Sequence, residues 1–229
     1  VSDIRYHAPA DREKVCVLSS GGVDSAVLLR LMALEYPDVY PAYVRCGLAW
    51  EEVEISWLRR YIDALAEPRI RPLSVLELPT RDLYQNHWSV TGAGVPDADS
   101  PDEAVYLPGR NLLLYAKAAV FAALNGIGDI ASGQLAGNPF PDATPAFFAA
   151  MAKAAGTAVG MDLRIVTPLL KWKKHEVIRE GWNLPLEYSF SCMNPVGGMH
   201  CGNCNKCFER KTAFAAAGVP DKTTYAGEV

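Results

Sequence analysis

The string Ser19-Ser20-Gly21-Gly22-Val23-Asp24-Ser25 constrains this chain more than any other feature. It sits between a short apolar run at residues 14–19 (KVCVLS) and a segment whose apolar residues, Val27, Leu28, Leu31 and Leu34, recur at helical spacing. A strand therefore feeds a glycine turn that opens a helix. The glycines allow a tight turn and close backbone approach to a ligand. The helix N-terminus offers free N–H groups and partial positive charge to a phosphate or pyrophosphate. Ser20 and Ser25 add hydroxyl donors, and Asp24 suits a Mg²⁺ ion that neutralises phosphates. A lone Gly-Gly would read as an ordinary junction with Asp24 or Ser25 as N-cap; the longer string is more specific. It lacks the GK[ST] ending of the nucleoside-triphosphatase loop and the GxGxxG of dinucleotide folds.

The rest of the chain alternates strand and helix. Residues 39–45 read as a strand, with Pro41 suggesting an edge or a bulge. An amphipathic helix is expected over 51–65, a strand over 73–78, an Ala-rich helix over 111–124 and a strand over 128–132. Then come a helix over 146–155, a strand over 163–167, a short basic helix over 173–180 and a last helix over 208–217 closed by Gly218. This order predicts a doubly wound α/β fold, a mostly parallel sheet with helices on both faces. Residues 1–13 read as an extended lead-in. Residues 79–108, rich in Pro, Gly and Asp and without a period, form a long loop of the kind that usually carries function.

At 229 residues the chain is sized for one domain with a small appendage. Its apolar runs are too short for the roughly 20 residues of a membrane helix. No basic stretch precedes an apolar one at the N-terminus, so a cytoplasmic protein is expected. A net charge of −4 argues against nucleic acid as the main partner.

Four of the six cysteines, Cys192, Cys201, Cys204 and Cys207, fall within 16 residues. The spacing C-x8-C-x2-C-x2-C suits a tetrahedral structural zinc, because Cys-x2-Cys lets one turn supply two thiolates. Buried free thiols or a disulfide are the alternative. His200 is a fifth candidate ligand, but four thiolates already complete a site. Cys16 reads as a packed strand residue, and Cys46 as either packed or reactive.

The string SGGVDS resembles the signature of the PP-loop N-type ATP pyrophosphatases, which share an adenine nucleotide alpha hydrolase-like fold. That resemblance implies an ATP site at Ser19, Ser20, Gly21, Gly22, Val23, Asp24, Ser25 and Ala26, with Mg²⁺, and adenylation of an oxygen with pyrophosphate release. SCMNPVGGMHCGNCNKCFERKTAF at 191–214 and YLPGRNLLLYAKAA at 106–119 are similar to stretches of the 7-cyano-7-deazaguanine synthase (QueC/ExsB) family. So, in outline, is Asn138-Pro139-Phe140-Pro141-Asp142 with Phe147 behind it. The resemblance covers roughly residues 14–217. It implies a PP-loop domain over 1–185 and a zinc-binding segment over 186–229. The implied enzyme is an ATP-dependent ligase that converts the carboxylate of 7-carboxy-7-deazaguanine to a nitrile with ammonia. Its partners would be that small molecule and ammonia, without nucleic acid or membrane, and with a homodimer left open.

The residues expected to act are Asp24, Ser25, Arg110 and Lys171, with Arg110, Asn111 and Asp142 on the substrate. Arg110 and Asn111 could instead form a surface ion pair and a helix cap, and Asp142 could be a turn former. Lys171, Lys173 and Lys174, with His175, could stabilise a departing pyrophosphate or form a solvated face. The chain departs from the family's pattern at 45–50, at Ala143 and at Ser189-Phe190. Those departures bear on substrate identity and leave open adenylation of a different carboxylate or thiolation of a tRNA base.

Overall fold

The computed structural model describes residues 6–227, so the expected lead-in falls partly outside them. Five strands, β1 (Lys14–Leu18), β2 (Asp38–Arg45), β3 (Ser74–Glu77), β4 (Asp129–Ala131) and β5 (Arg164–Val166), form one sheet in the order β3-β2-β1-β4-β5. Every neighbouring pair is parallel, with Cys16 set between Tyr40 and Ile130. β1 is central and covered on both faces, and so its run of apolar residues does not alternate with polar ones. Val15 and Val17 pack into one layer and Cys16 into the other.

One layer holds α1 (Val23–Glu35), α2 (Glu51–Leu65), α7 (Lys174–Glu180) and α8 (Asn205–Ala217). The other holds α5 (Arg110–Leu124) and α6 (Pro145–Val159). The doubly wound fold expected from the alternation is the fold observed. The chain winds outward from β1 through β2 to β3, then crosses back to β4 on the other side. Ligands of such sheets bind where the winding reverses, beyond the carboxyl ends of the strands. No helix of the described residues is long and apolar enough to cross a membrane.

Pro41 is a correction. β2 is an interior strand, paired with β1 through Val17↔Pro41 and with β3 from Ala42↔Ser74 onward. Val39 donates its N–H to Arg69 O on the β3 side, and position 41 turns the same way. The donor that proline lacks therefore falls in the gap between the Val39–Ile70 bridge and the start of the β3 ladder.

Residues 79–108 are more ordered than a structureless loop. They contain α3 (Arg81–Tyr84), α4 (Trp88–Thr91) and a 3-10 turn at Asp102–Val105. Two bonds tie them to the first residue of α8: Asn205 N donates to Pro96 O at 3.0 Å, and Asn205 Nδ2 donates to Ser100 O at 2.9 Å. α8 starts three residues earlier than its apolar spacing suggested. Cys204 is its N-cap and Cys207 lies inside its first turn.

Candidate active site

The loop after β1 is built as its sequence implies. Gly21 has φ +78°, which a side chain rarely adopts, and a Cβ there would lie 3.3 Å from Glu54 Cγ on α2. Gly22 is the N-cap of α1 and carries no capping side chain. Its carbonyl accepts from Ala26 N at 2.9 Å and from Ser25 Oγ at 3.0 Å. Ser19 is buried and donates its Oγ to Val17 O at 3.1 Å. Gly133, just past β4, lets that loop lie against the start of α1: a Cβ would meet Asp24 C at 3.3 Å.

Two cavities of about 410 and 200 Å³ meet at this loop and share Ser20, Asp24, Arg110, Gly133 and Gln134. Ser19 and Ser25 line the smaller one, between the β1 and β2 ends; Gly22 and Val23 line the larger. Gly21 and Ala26 line neither and support the turn from behind.

Asp24 stands at the junction. Its carboxylate lies 3.4 Å from Lys174 Nζ, while Asp24 Oδ1 is buried with no hydrogen-bond partner. Burial raises the Asp24 pKa, against the pull of Lys174. Lys174 bridges on to Glu209 of α8 at 2.7 Å, and Lys206 reaches the same carboxylate at 2.8 Å. Burial would discharge Lys174, but Asp24 and Glu209 override it and hold the ammonium above the usual lysine range. Burial likewise opposes the Glu209 charge, yet the two lysines bring its pKa down to about 2. Of the basic group at 171–174, Lys173 and Lys174 line the larger cavity, whereas Lys171 is exposed and lines neither.

Arg110, the first residue of α5, lines both cavities and its Nε is buried without a partner. Asn111 lines the smaller cavity. Asp142 is turned to α5: its Oδ2 accepts from Asn111 N at 3.0 Å, its carbonyl accepts from Asn111 Nδ2 at 3.0 Å, and it lines neither cavity. It satisfies a free N–H at that helix start.

Two acidic residues on the buried face of α2 escaped the sequence reading. Glu51 and Glu54 are only 2% and 7% exposed. The signal was present, since both fall on the stripe that contains Ile55, Leu58 and Tyr61. Glu51 closes the preceding loop by accepting from the N–H groups of Cys46, Gly47 and Leu48 at 2.7–2.9 Å. Glu54 lines the larger cavity and accepts from Tyr43 Oη at 2.5 Å. Cys46 is 1% exposed, and burial pushes its thiol up to about 11.

Cys192, Cys201, Cys204 and Cys207 bring their sulfurs within 4.8 Å of one another. Two of the pairs stand 3.9 Å apart, close to the roughly 3.8 Å edge of a tetrahedron with Zn–S near 2.3 Å. Backbone N–H groups of Asn194, Cys201 and Cys204 point at these sulfurs from 3.2–3.3 Å. All six cysteines are free, and the four clustered sulfurs are a donor set that fits a metal. His200 is buried behind the cluster, with Nε2 accepting from Ser191 N at 3.1 Å.

One bond ties the segment to the phosphate loop, and a buried arginine holds the segment together internally. Phe190 N donates to Gly21 O at 2.7 Å, which ties it to the glycine loop. Fully buried Arg210 on α8 holds Ser189 Oγ at 2.8 Å, Leu186 O at 3.0 Å, Thr223 Oγ1 at 2.7 Å and both Asp221 oxygens at 3.2 Å. The expected boundary at 185/186 falls beside the 3-10 turn Leu186–Tyr188, and Ala213, Phe214 and Ala217 of α8 join the same core as α1.

Comparison with known proteins gives a consistent result. Residues 14–218 match the model of the family described as queuosine biosynthesis protein QueC. A 7-cyano-7-deazaguanine synthase of Syntrophobacter fumaroxidans is 34% identical, with 93% of this chain and 97% of that protein aligned. One from Anaeromyxobacter sp. (strain Fw109-5) is 39% identical over 93% of this chain and 96% of its own length. Among solved structures, a 4-thiouridine synthetase–RNA complex with bound ATP superposes with a TM-score of 0.50 at 15% identity, covering 94% of this chain and 48% of that one. That likeness concerns the fold alone.

Proposed function

The chain belongs to the QueC family of queuosine biosynthesis proteins, and on that premise we propose that it converts 7-carboxy-7-deazaguanine to 7-cyano-7-deazaguanine with ATP and ammonia. The observation that carries this reading is the agreement of family and site. The family match runs through the glycine loop, the start of α5 and the cysteine segment, and these three meet around the paired cavities.

The chemistry explains the need for ATP. A carboxylate repels nucleophiles and has oxide as its leaving group. Transfer of AMP to its oxygen supplies a good leaving group, and ammonia then gives the amide. A second transfer, to the amide oxygen, allows elimination to the nitrile. One nucleotide site serves both rounds, and the protein contributes positioning and charge stabilisation.

ATP is read across the junction of the cavities, with its nucleoside in the smaller one and its phosphates over Gly22 and Val23 at the α1 N-terminus, on the edge of the larger one. Asp24, whose Oδ1 lacks a partner, suits Mg²⁺, which would supply charge neutralisation there. Lys174 and Lys206 favour departure of pyrophosphate, with Glu209 holding them in place. Lys174 takes up in this proposal the role expected of Lys171. Arg110, at the junction of the cavities, faces the transferring phosphate and the substrate carboxylate, and Asn111 lies beside it. The four cysteines would hold a structural Zn²⁺, and free thiols suit a reducing, cytoplasmic setting.

Thiolation of a tRNA base is the other reading. It calls for a nucleophilic thiol at the site, and buried, protonated Cys46 does not offer one. Pyrophosphate release with a panel of carboxylates tests the proposal, with mass spectrometry of the products. 7-Carboxy-7-deazaguanine should stimulate release and yield the nitrile; stimulation by an unrelated acid alone would contradict it.

A further inference from the structure

Both halves of this reaction need a base. Ammonia adds to the acyl adenylate as a neutral nucleophile, and the adduct sheds an N–H proton as AMP leaves. The nitrile forms only when the last N–H proton is removed. No histidine lines either cavity among the described residues. Four carboxylates line the larger one: Asp24, Glu54, Asp102 and Glu209.

Three of them are unsuited. Asp24 is engaged with Lys174 at the phosphate loop. Glu209 is held in ion pairs by Lys174 and Lys206, which makes it a poor proton acceptor. Asp102 is exposed on the 3-10 turn, in contact with water. Glu54 differs on each count. It is 7% exposed, it has no lysine or arginine ion-pair partner among the described residues, and Tyr43 occupies only Oε2. Its Cγ stands 3.3 Å from the position a Cβ on Gly21 would take, so it adjoins the phosphate loop. The stacked rings of Trp50 and Trp88, 5.7 Å apart, line the same cavity and give it an apolar wall.

Resting on the proposed function, we infer that Glu54 is the catalytic base that takes protons from the substrate nitrogen in both rounds. In the first, the C–N bond forms, the C–O bond to AMP breaks with its electron pair going to AMP, and a nitrogen proton passes to Glu54 Oε1. The proton is released to solvent before the second round. There, transfer of AMP to the amide oxygen leaves an iminium nitrogen with two protons; the first is lost to solvent, which gives the neutral imidate, and the remaining N–H proton passes to the same oxygen of Glu54. The N–H electron pair becomes the third C–N bond, and the C–O bond to AMP breaks. Tyr43 holds the carboxyl group in place through Oε2. Burial raises the Glu54 pKa to about 8, close to what a base working near neutral pH requires.

The test separates nitrogen transfer from adenylation. Carboxylate-dependent exchange of labelled pyrophosphate into ATP reports the first adenylation. Amide formation from ammonium, and hydroxamate formation from hydroxylamine, report nitrogen transfer. Hydroxylamine is already neutral at pH 7.5 and needs less help from a base. Glu54→Gln should slow amide formation by about 100-fold or more. Exchange and hydroxamate formation should fall by less than about 10-fold in the same variant. Glu54→Asp keeps a carboxylate at shorter reach and should recover part of the amide rate; if Glu54→Gln does not fold, the Asp variant carries the comparison. Equal losses in all three assays, or an unchanged amide rate, would overturn the role of Glu54 while leaving the function intact. Absence of exchange with 7-carboxy-7-deazaguanine in the unsubstituted protein would overturn both.

Discussion

Asp24 is a carboxylate that burial opposes and Lys174 supports, with one oxygen left without a partner. If that oxygen serves the metal on the phosphates, Asp24→Asn should abolish pyrophosphate and AMP formation. It should cost less than about 2 kcal/mol in stability, because the change is nearly isosteric. Full activity in that variant, assayed by pyrophosphate release, would refute the assignment. Glu54 permits a prediction with a definite sign. Its folded pKa of about 8 exceeds its ordinary 4.5, so its contribution to stability is fully present below 4.5 and is lost as pH rises towards 8. Glu54→Gln should therefore gain on the parent, without ligand, by up to about 1.4 kcal/mol per pH unit across that window. Urea unfolding at pH 5 and pH 8.5 checks this, and a constant difference would contradict it. At this scale the sequence was only partly legible. The glycine loop and the four cysteines were evident because backbone freedom and ligand spacing are local properties. The choice among Lys171, Lys173 and Lys174 depends on how α7 docks on α8, and the bond from Asp142 to Asn111 spans 31 residues; neither is written in a local pattern.

α8 is the element through which the cysteine cluster reaches the site. It begins at the cluster, carries Lys206 and Glu209 to the phosphate loop, and anchors residues 96–100 through Asn205. Metal analysis should find about one zinc per chain. Cys204→Ser should lower metal content and melting temperature together, since a structural metal contributes folding energy directly. Metal-free protein with its cysteines oxidised in pairs would refute the site. Arg210 holds the cysteine segment together from within, fully buried against Asp221, Ser189, Leu186 and Thr223. Arg210→Met leaves Asp221 without its cation and should destabilise the fold by about 3–5 kcal/mol, measured by denaturant unfolding. Strands and long helices were legible here from their periods. The start of α8 was not, because its first turn is made of metal ligands and polar residues with no apolar spacing. The interior position of β2 was hidden by Pro41, whose missing donor is harmless only because the neighbouring ladder is interrupted there.

Across the whole molecule, the parallel sheet brings the two ends of the sequence together. The loop after β1 and the cysteine segment join through Phe190 N–H and Gly21 O, at the point where the winding reverses. Alternation of strand and helix predicted that sheet, and the order of the motifs predicted their family. The meeting of residues 19–25, 110–111 and 174–209 around two adjoining cavities is a property of the topology alone. In the proposed reaction each oxygen of the substrate carboxylate leaves as part of AMP. The most direct measurement is mass spectrometry of the products from 7-carboxy-7-deazaguanine labelled with ¹⁸O at both carboxylate oxygens, turned over with ATP and ammonium. One ¹⁸O in each AMP, none in pyrophosphate and an unlabelled nitrile is the predicted result. Label appearing in water or inorganic phosphate, with AMP unlabelled, would contradict adenylation and the proposed function with it.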